Sequence, residues 1–241
     1  MRMSKVFSTA FYAGMVLGLA AVSAPAATMT WSSVVSVTGN PTDVDTTGLF
    51  FDSAASTTNS VGGDLVVNGV DFHRPIARVG DNNTFFSSGI TIQSDDPPLD
   101  GFGGGATFGG DYGTLLSYGQ YHHNRGDAIT ITGLALATDY EVQIWTPYWT
   151  EPDPTVYTAG NSSASVYTGV TPSRGSGEAQ YVIGTFTADA TSEVINYDPG
   201  AGSPNNYAFI SAIQVRALPV PEPTSIALLV LGALMMLRLR R

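Results

Sequence analysis

Between residues 28 and 218 the apolar residues come in short runs that never sustain a helical period, and clusters of Gly, Pro, Asn and Asp separate one run from the next. Such a chain satisfies its backbone by pairing strands, and a parallel sheet would need crossover helices that the pattern lacks. Strands are predicted at 29–38, 65–72, 89–93, 112–118, 128–132, 140–145, 163–168, 181–188, 193–197 and 208–216. Alternation is clearest at Ile129 and Ile131, and at Tyr140, Val142 and Ile144, which places each set on one sheet face. Breakers such as Asp95-Asp96-Pro97-Pro98, the glycine-rich stretch 101–110 and Pro152-Asp153-Pro154 read as exposed loops. The expected fold is all-β, an antiparallel β-sandwich in a single domain over residues 27–217, flanked by an N-terminal signal helix and a C-terminal membrane helix.

The most legible unit runs from Ala128 to Trp145. Two strands flank a short corner in which Leu134 plugs the core and the Tyr140 hydroxyl returns to the corner backbone. This resembles the tyrosine corner of fibronectin-type and jelly-roll modules. Stretches 181–188 and 208–215 resemble the closing strands of galactose-binding-like jelly rolls, a scaffold used by many extracellular carbohydrate-binding modules. The resemblance implies fold and not activity.

Charge narrows the partners. Residues 27–217 hold five arginines (Arg74, Arg78, Arg125, Arg174, Arg216), no lysine and nineteen of the twenty acids, a net of −14 for this stretch. That field repels phosphate backbones and excludes nucleic acid as a partner. With no cysteine, disulfides, thiolate catalysis and Cys-ligated zinc are excluded as well.

The two ends read as transport segments. Arg2 and Lys5 precede an apolar stretch from Val6 to Val22 and then Ala24-Pro25-Ala26, the order of a secretory signal peptide, residues 1–26. Cleavage is expected after Ala26, with the bond after Ala27 as second choice. At the other end Val220-Pro221-Glu222-Pro223 is followed by the apolar run 225–237 and by Arg238, Arg240 and Arg241. The prolines hold an extended segment, the run is short but can cross a bilayer with snorkelling flanks, and the arginines stay cytoplasmic.

In this order, motif, short apolar helix and arginine cluster, residues 218–241 resemble the PEP-CTERM sorting tail. The resemblance implies an exosortase-like enzyme as partner, anchorage in the inner membrane before processing, and release to the cell surface or an exopolysaccharide matrix. Such tails are carried by diverse exported domains, so the body must be read by itself.

Nucleotide-loop, zinc-protease and nucleophile-elbow strings do not occur, and Gly101–Gly105 leads into no helix start. His122 and His123, near Asp111 and Asp127, would share a metal only from a loop, because strand neighbours point to opposite faces. His73 beside Arg74 is a weaker candidate. Carboxylate pairs Asp95/Asp96, Asp43/Asp45 and Glu151/Asp153 sit among turn residues, which argues for solvated loops over glycoside hydrolysis. Loop carboxylates suit Ca²⁺ better, and Asp43, Asp45 and Asp52 are its candidate ligands, though not at EF-hand spacing. The candidate ligand site is the loop after Trp145, where Tyr148 and Trp149 would stack on sugar rings and Glu151 and Asp153 would accept hydroxyl hydrogen bonds. The plainer reading makes Trp145 core. The expected function is a non-catalytic envelope or matrix protein that binds polysaccharide. A secreted carbohydrate-active enzyme and a self-associating structural surface protein are the alternatives.

Overall fold

Strand alternation sorts side chains to two faces, and two antiparallel sheets close over the apolar ones. The computed structural model describes residues 27–55, 63–74, 85–93, 108–123, 126–147, 153–168 and 179–219. The expected leader, residues 1–26, and residues 220–241 of the expected sorting tail lie outside these residues. Among the described residues no helix is long and apolar enough to cross a membrane.

The first half of the chain contributes β1 (Thr30–Trp31), β2 (Val35–Ser36), β3 (Leu49–Ala55), β4 (Leu65–Val67), β5 (Val70–Phe72), β6 (Phe85–Phe86), β7 (Ile90–Ile92) and α1 (Gly110–Ser117). The second half adds β8 (Gln120–His123), β9 (Asp127–Thr132), β10 (Asp139–Trp145), β11 (Pro154–Ala159), β12 (Ser162–Tyr167), β13 (Gln180–Thr187), β14 (Ser192–Pro199), β15 (Tyr207–Ile210) and β16 (Ala212–Ala217). One sheet has the order β1-β13-β10-β16-β3, with β2 also on β13, and the other β12-β11-β14-β9-β7-β6. Two small ribbons, β8 with β15 and β4 with β5, complete the pairing.

The core between the sheets takes Val142, Ile144, Val182, Ile213 and Val215 from the first and Ile90, Ile129, Ile131, Tyr157, Ile195 and Tyr197 from the second. The predicted corner forms there. Leu134 is buried, and the backbone N–H of Ala135 donates to the Tyr140 hydroxyl at 3.0 Å. The Tyr140 ring lies 5.5 Å from Phe51 and 5.7 Å from Phe186. Tyr140→Phe keeps those ring contacts and strands one N–H, so unfolding free energy should fall by about 1 kcal/mol, read from the urea midpoint at unchanged m-value.

A second apolar cluster lies on the opposite face of the β10 sheet. The β4–β5 hairpin and α1 cover Trp145 and Ala212 there with Leu65, Val67, Phe72, Tyr112, Leu115 and Leu116. The sandwich therefore carries a third layer over part of one sheet.

Several predicted boundaries are corrected. The run 65–72 is a hairpin, because Asn68 and Gly69 adopt positive φ of 50° and 76°, the pair of conformations that a two-residue turn requires. The run 112–118 belongs to α1: Tyr112, Leu115 and Leu116 are buried at helical spacing, whereas a strand would have faced Thr114 inward. The run 29–38 pairs only as β1 and β2, and 208–216 breaks at Ser211, whose hydroxyl bonds the Leu115 carbonyl at 3.1 Å and the Tyr118 carbonyl. Strands β3, β6, β8 and β11 were not anticipated.

Candidate functional site

Outside the shelter of the third layer, the same sheet face carries polar side chains that hold residues 43–48 against it. Gln143 donates to the Asp43 carbonyl at 2.7 Å and accepts from the Asp45 N–H at 3.0 Å. Gln214 donates to the Asp45 carbonyl at 2.9 Å and to Gln143 Oε1 at 2.8 Å. Arg216 is 6% exposed, and its Nε and Nη2 donate to the carbonyls of Thr46, Thr47 and Gly48 at 2.6–3.0 Å. These bonds satisfy backbone that the loop would otherwise leave unpaired against the sheet. Glu141, in register with Arg216, has its carboxyl raised above the usual range by burial first and the Asp45 charge second, with Arg216 pulling it back.

Beside Arg216 a cleft of about 500 Å³ opens between the β3 edge and the tip of the β4–β5 hairpin. Phe50 forms one wall and is 44% exposed. A register shift at Val215/Arg216, where β16 pairs with β3, sets Phe50 opposite Arg216. Asn68, Asp71 and His73 line the other side. Asn68 donates to the Val44 carbonyl at 2.9 Å, and His73 Nδ1 lies 3.2 Å from Asp64 Oδ2. An open ring face beside an amide, a carboxylate and an imidazole can hold a sugar ring and its hydroxyls. Among the described lining residues Asp71 is the only carboxylate, whereas glycoside hydrolysis uses two. Sequence patterning picked out His73 but missed the cleft it lines, since Phe50 and Asp71 come together only through pairing distant along the chain; the Asn68-Gly69 turn was a further available signal.

Of the predicted ligand loop, Tyr148, Trp149 and Glu151 lie outside the described residues. Trp145 is fully buried, as the plainer reading had it. Asp153 is also fully buried, and its carboxylate accepts from Ser203 Oγ at 2.6 Å and Asn205 Nδ2 at 3.2 Å. Rather than facing a ligand, it ties the 200–206 turn to the start of β11.

The calcium candidates do not converge, and no group of three metal-capable side chains occurs among the described residues. Asp43 accepts from the Thr38 N–H at 2.8 Å, the Thr38 hydroxyl at 2.9 Å and the Tyr112 hydroxyl at 3.0 Å. Burial foremost, and then Asp43, push the Tyr112 hydroxyl well above the normal phenol range. Asp45 closes a turn on the Thr47 N–H at 2.6 Å. Asp52, 2% exposed, accepts from the backbone N–H groups of Ser53 at 2.8 Å and Gly89 at 2.5 Å and from Ser87 Oγ at 2.6 Å.

His122 and His123 do diverge as strand neighbours. His122 is buried with Nδ1 2.5 Å from Asp127 Oδ2, and His123 is exposed with its ring 4.9 Å from that of Tyr207. Asp111 accepts from the Val66 N–H at 2.9 Å, docking α1 on the hairpin. The pair Asp95/Asp96 and the glycines 101–105 lie outside the described residues.

No family model matches the chain, and no curated protein matches it. Among solved structures it is similar to the catalytic domain of a GH87 alpha-1,3-glucanase in complex with nigerose, at 14% identity and TM-score 0.31, over 74% of this chain and 30% of that one. A second structure of such a domain, in complex with tetrasaccharides, shows 10% identity and TM-score 0.28 over 83% of this chain and 30% of that one. The chain thus spans less than a third of those chains, and at this level the overlap transfers neither residues nor activity.

Proposed function

We propose that this is an exported, non-catalytic cell-envelope or matrix protein, sorted by an exosortase-type enzyme through Pro221-Glu222-Pro223, whose jelly-roll-like sandwich binds polysaccharide outside the cell. The observation that carries the reading is the order of parts from Val220 onward: a proline-bounded acidic motif, an apolar run, then Arg238, Arg240 and Arg241. The run partitions into the inner membrane, the arginines stay cytoplasmic, and the motif is presented at the outer face for the sorting enzyme. The body supports a binding role, because Asp43, Asp52 and Asp153 are spent on holding loops while Phe50 stands exposed beside a polar cleft.

Mass spectrometry of the mature protein should find the C-terminus at or near Pro223. Glu222→Ala should leave residues 224–241 attached and the protein in the inner membrane. Equal distribution of wild type and Glu222→Ala with the tail intact in both would sink the sorting assignment. On glycan arrays the mature protein should be retained, and Phe50→Ala or Trp149→Ala should weaken retention about ten-fold, the worth of one stacking ring. Failure to bind any glycan would remove the polysaccharide part of the reading.

A further inference from the structure

At the start of the described chain a buried carboxylate meets a backbone nitrogen. Glu193 opens the inward face of β14 with Ile195 and Tyr197, and is 2% exposed. Its Oε2 accepts from the Ala27 N–H at 2.9 Å, while Oε1 is buried without a hydrogen-bond partner. Among the described residues no Arg, Lys or His forms an ion pair with it, and Asp189 adds a like charge nearby. Burial first, then Asp189, raise its carboxyl above the ordinary range. A carboxylate held this way lacks a cation, and a neutral amide answers only half of it.

The Ala27 nitrogen is held in place by the residues C-terminal to it. Ala27 and Met29 are buried in the core between the sheets, Thr30 and Trp31 pair with Thr185 and Gly184, and Ser162 Oγ donates to the Met29 carbonyl. Gly184 permits this approach, since a Cβ there would lie 2.3 Å from Met29 Sδ. Every one of these contacts lies on the C-terminal side of the Ala26–Ala27 bond, the first-choice leader cleavage site.

We infer that removal of residues 1–26 places the α-ammonium of Ala27 in a buried ion pair with Glu193, so that leader cleavage supplies the one cation the core lacks. Hydrolysis of the Ala26–Ala27 peptide bond by a leader peptidase adds the hydroxyl of one water to the Ala26 carbonyl carbon and its hydrogen to the Ala27 nitrogen. The freed amine takes one further proton from solvent and becomes an ammonium. It keeps the bond to Oε2 and gains a donor for Oε1. Cleavage after Ala27 would instead carry the Oε2 donor away with the leader, so the geometry selects between the two sites.

The test uses an unusual property of the chain. Lys5 is its only lysine, so a mature protein beginning at Ala27 contains a single amine, its own N-terminus. Intact mass and N-terminal sequencing of the exported protein should give Ala27. An amine-acylating reagent should then add one label per chain in urea and react at least about ten-fold more slowly with the native protein, as for a group reached only through opening. The paired amine titrates above its ordinary value of about 8, so its stabilisation is complete below that pH and is lost as pH rises through the folded value. Between pH 7 and 10 wild-type Tm should therefore fall about 5 °C further than that of Glu193→Gln. Native labelling as fast as in urea, or a start at Thr28, would overturn the pairing; the labelling comparison needs no variant to fold. The inference rests on the export reading. A chain retaining residues 1–26 sinks both, whereas a start at Thr28 with a processed tail sinks the ion pair alone.

Discussion

Trp145→Ala is expected to lower the unfolding free energy by about 3–5 kcal/mol, the range for emptying a large aromatic site that its surroundings cannot refill. Trp145 is fully buried as the last residue of β10. Its ring meets Phe72 edge-on at 5.6 Å and Tyr181 at 6.1 Å, with Ala212 beside it in register. Because Ile144 faces the core between the sheets and Trp145 the covering layer, the loss should fall mainly on the attachment of α1 and the β4–β5 hairpin. Hydrogen exchange should show those elements opening first, and the urea midpoint should drop accordingly. A loss below about 1 kcal/mol would mean that the indole is not a core side chain, contrary to its burial.

Asp52→Ala is expected to cost about 3 kcal/mol, because three buried or half-buried donors lose their acceptor together. Those donors are the backbone N–H groups of Ser53 and Gly89 and the hydroxyl of Ser87. Asp52 lies on β3, in the sheet opposite β7, and its carboxylate closes the 87–89 turn between β6 and β7, so it ties one sheet to the other. Asp52→Asn keeps the acceptor oxygen and should cost less. The same Asp52→Ala loss is expected in EDTA and in millimolar Ca²⁺. A Ca²⁺-dependent rise in wild-type Tm that the variant lacks would restore the metal reading.

These two residues mark where sequence patterning reached and where it stopped. Period-two alternation at Ile129, Ile131, Tyr140, Val142 and Ile144 was enough to place β9, β10 and the corner, since each residue's face depends only on its neighbours. Tyr112, Leu115 and Leu116 carry a helical spacing that a strand reading of 112–118 overlooked, and the Asn68-Gly69 pair carries a turn signal that would have divided 65–72. Local evidence for β11 was masked by the proline at its start, and Pro154 is tolerated there because it is the first residue of the strand.

The carboxylates were the harder case. Asp43 and Asp52 read as calcium ligands and Asp153 as an acceptor for sugar hydroxyls, because one partner of each is remote in sequence: Tyr112, Ser87 and Ser203. A carboxylate beside Pro or Gly looks the same whether it faces water, a cation or a buried hydroxyl, and only the path of the rest of the chain separates these states. The same holds for Glu193, which nothing near it in sequence marks as buried against Ala27.

Composition and pattern alone determined an antiparallel all-β body, its acidity and freedom from cysteine, and the order of motif, apolar run and arginines in the tail, because each depends on residue type and local spacing. The third layer over Trp145, the Phe50 cleft and the carboxylate waiting at Ala27 were decided by tertiary structure. Each joins residues tens to more than a hundred positions apart, and the free energy that selects those contacts comes from burying apolar surface and pairing polar groups together.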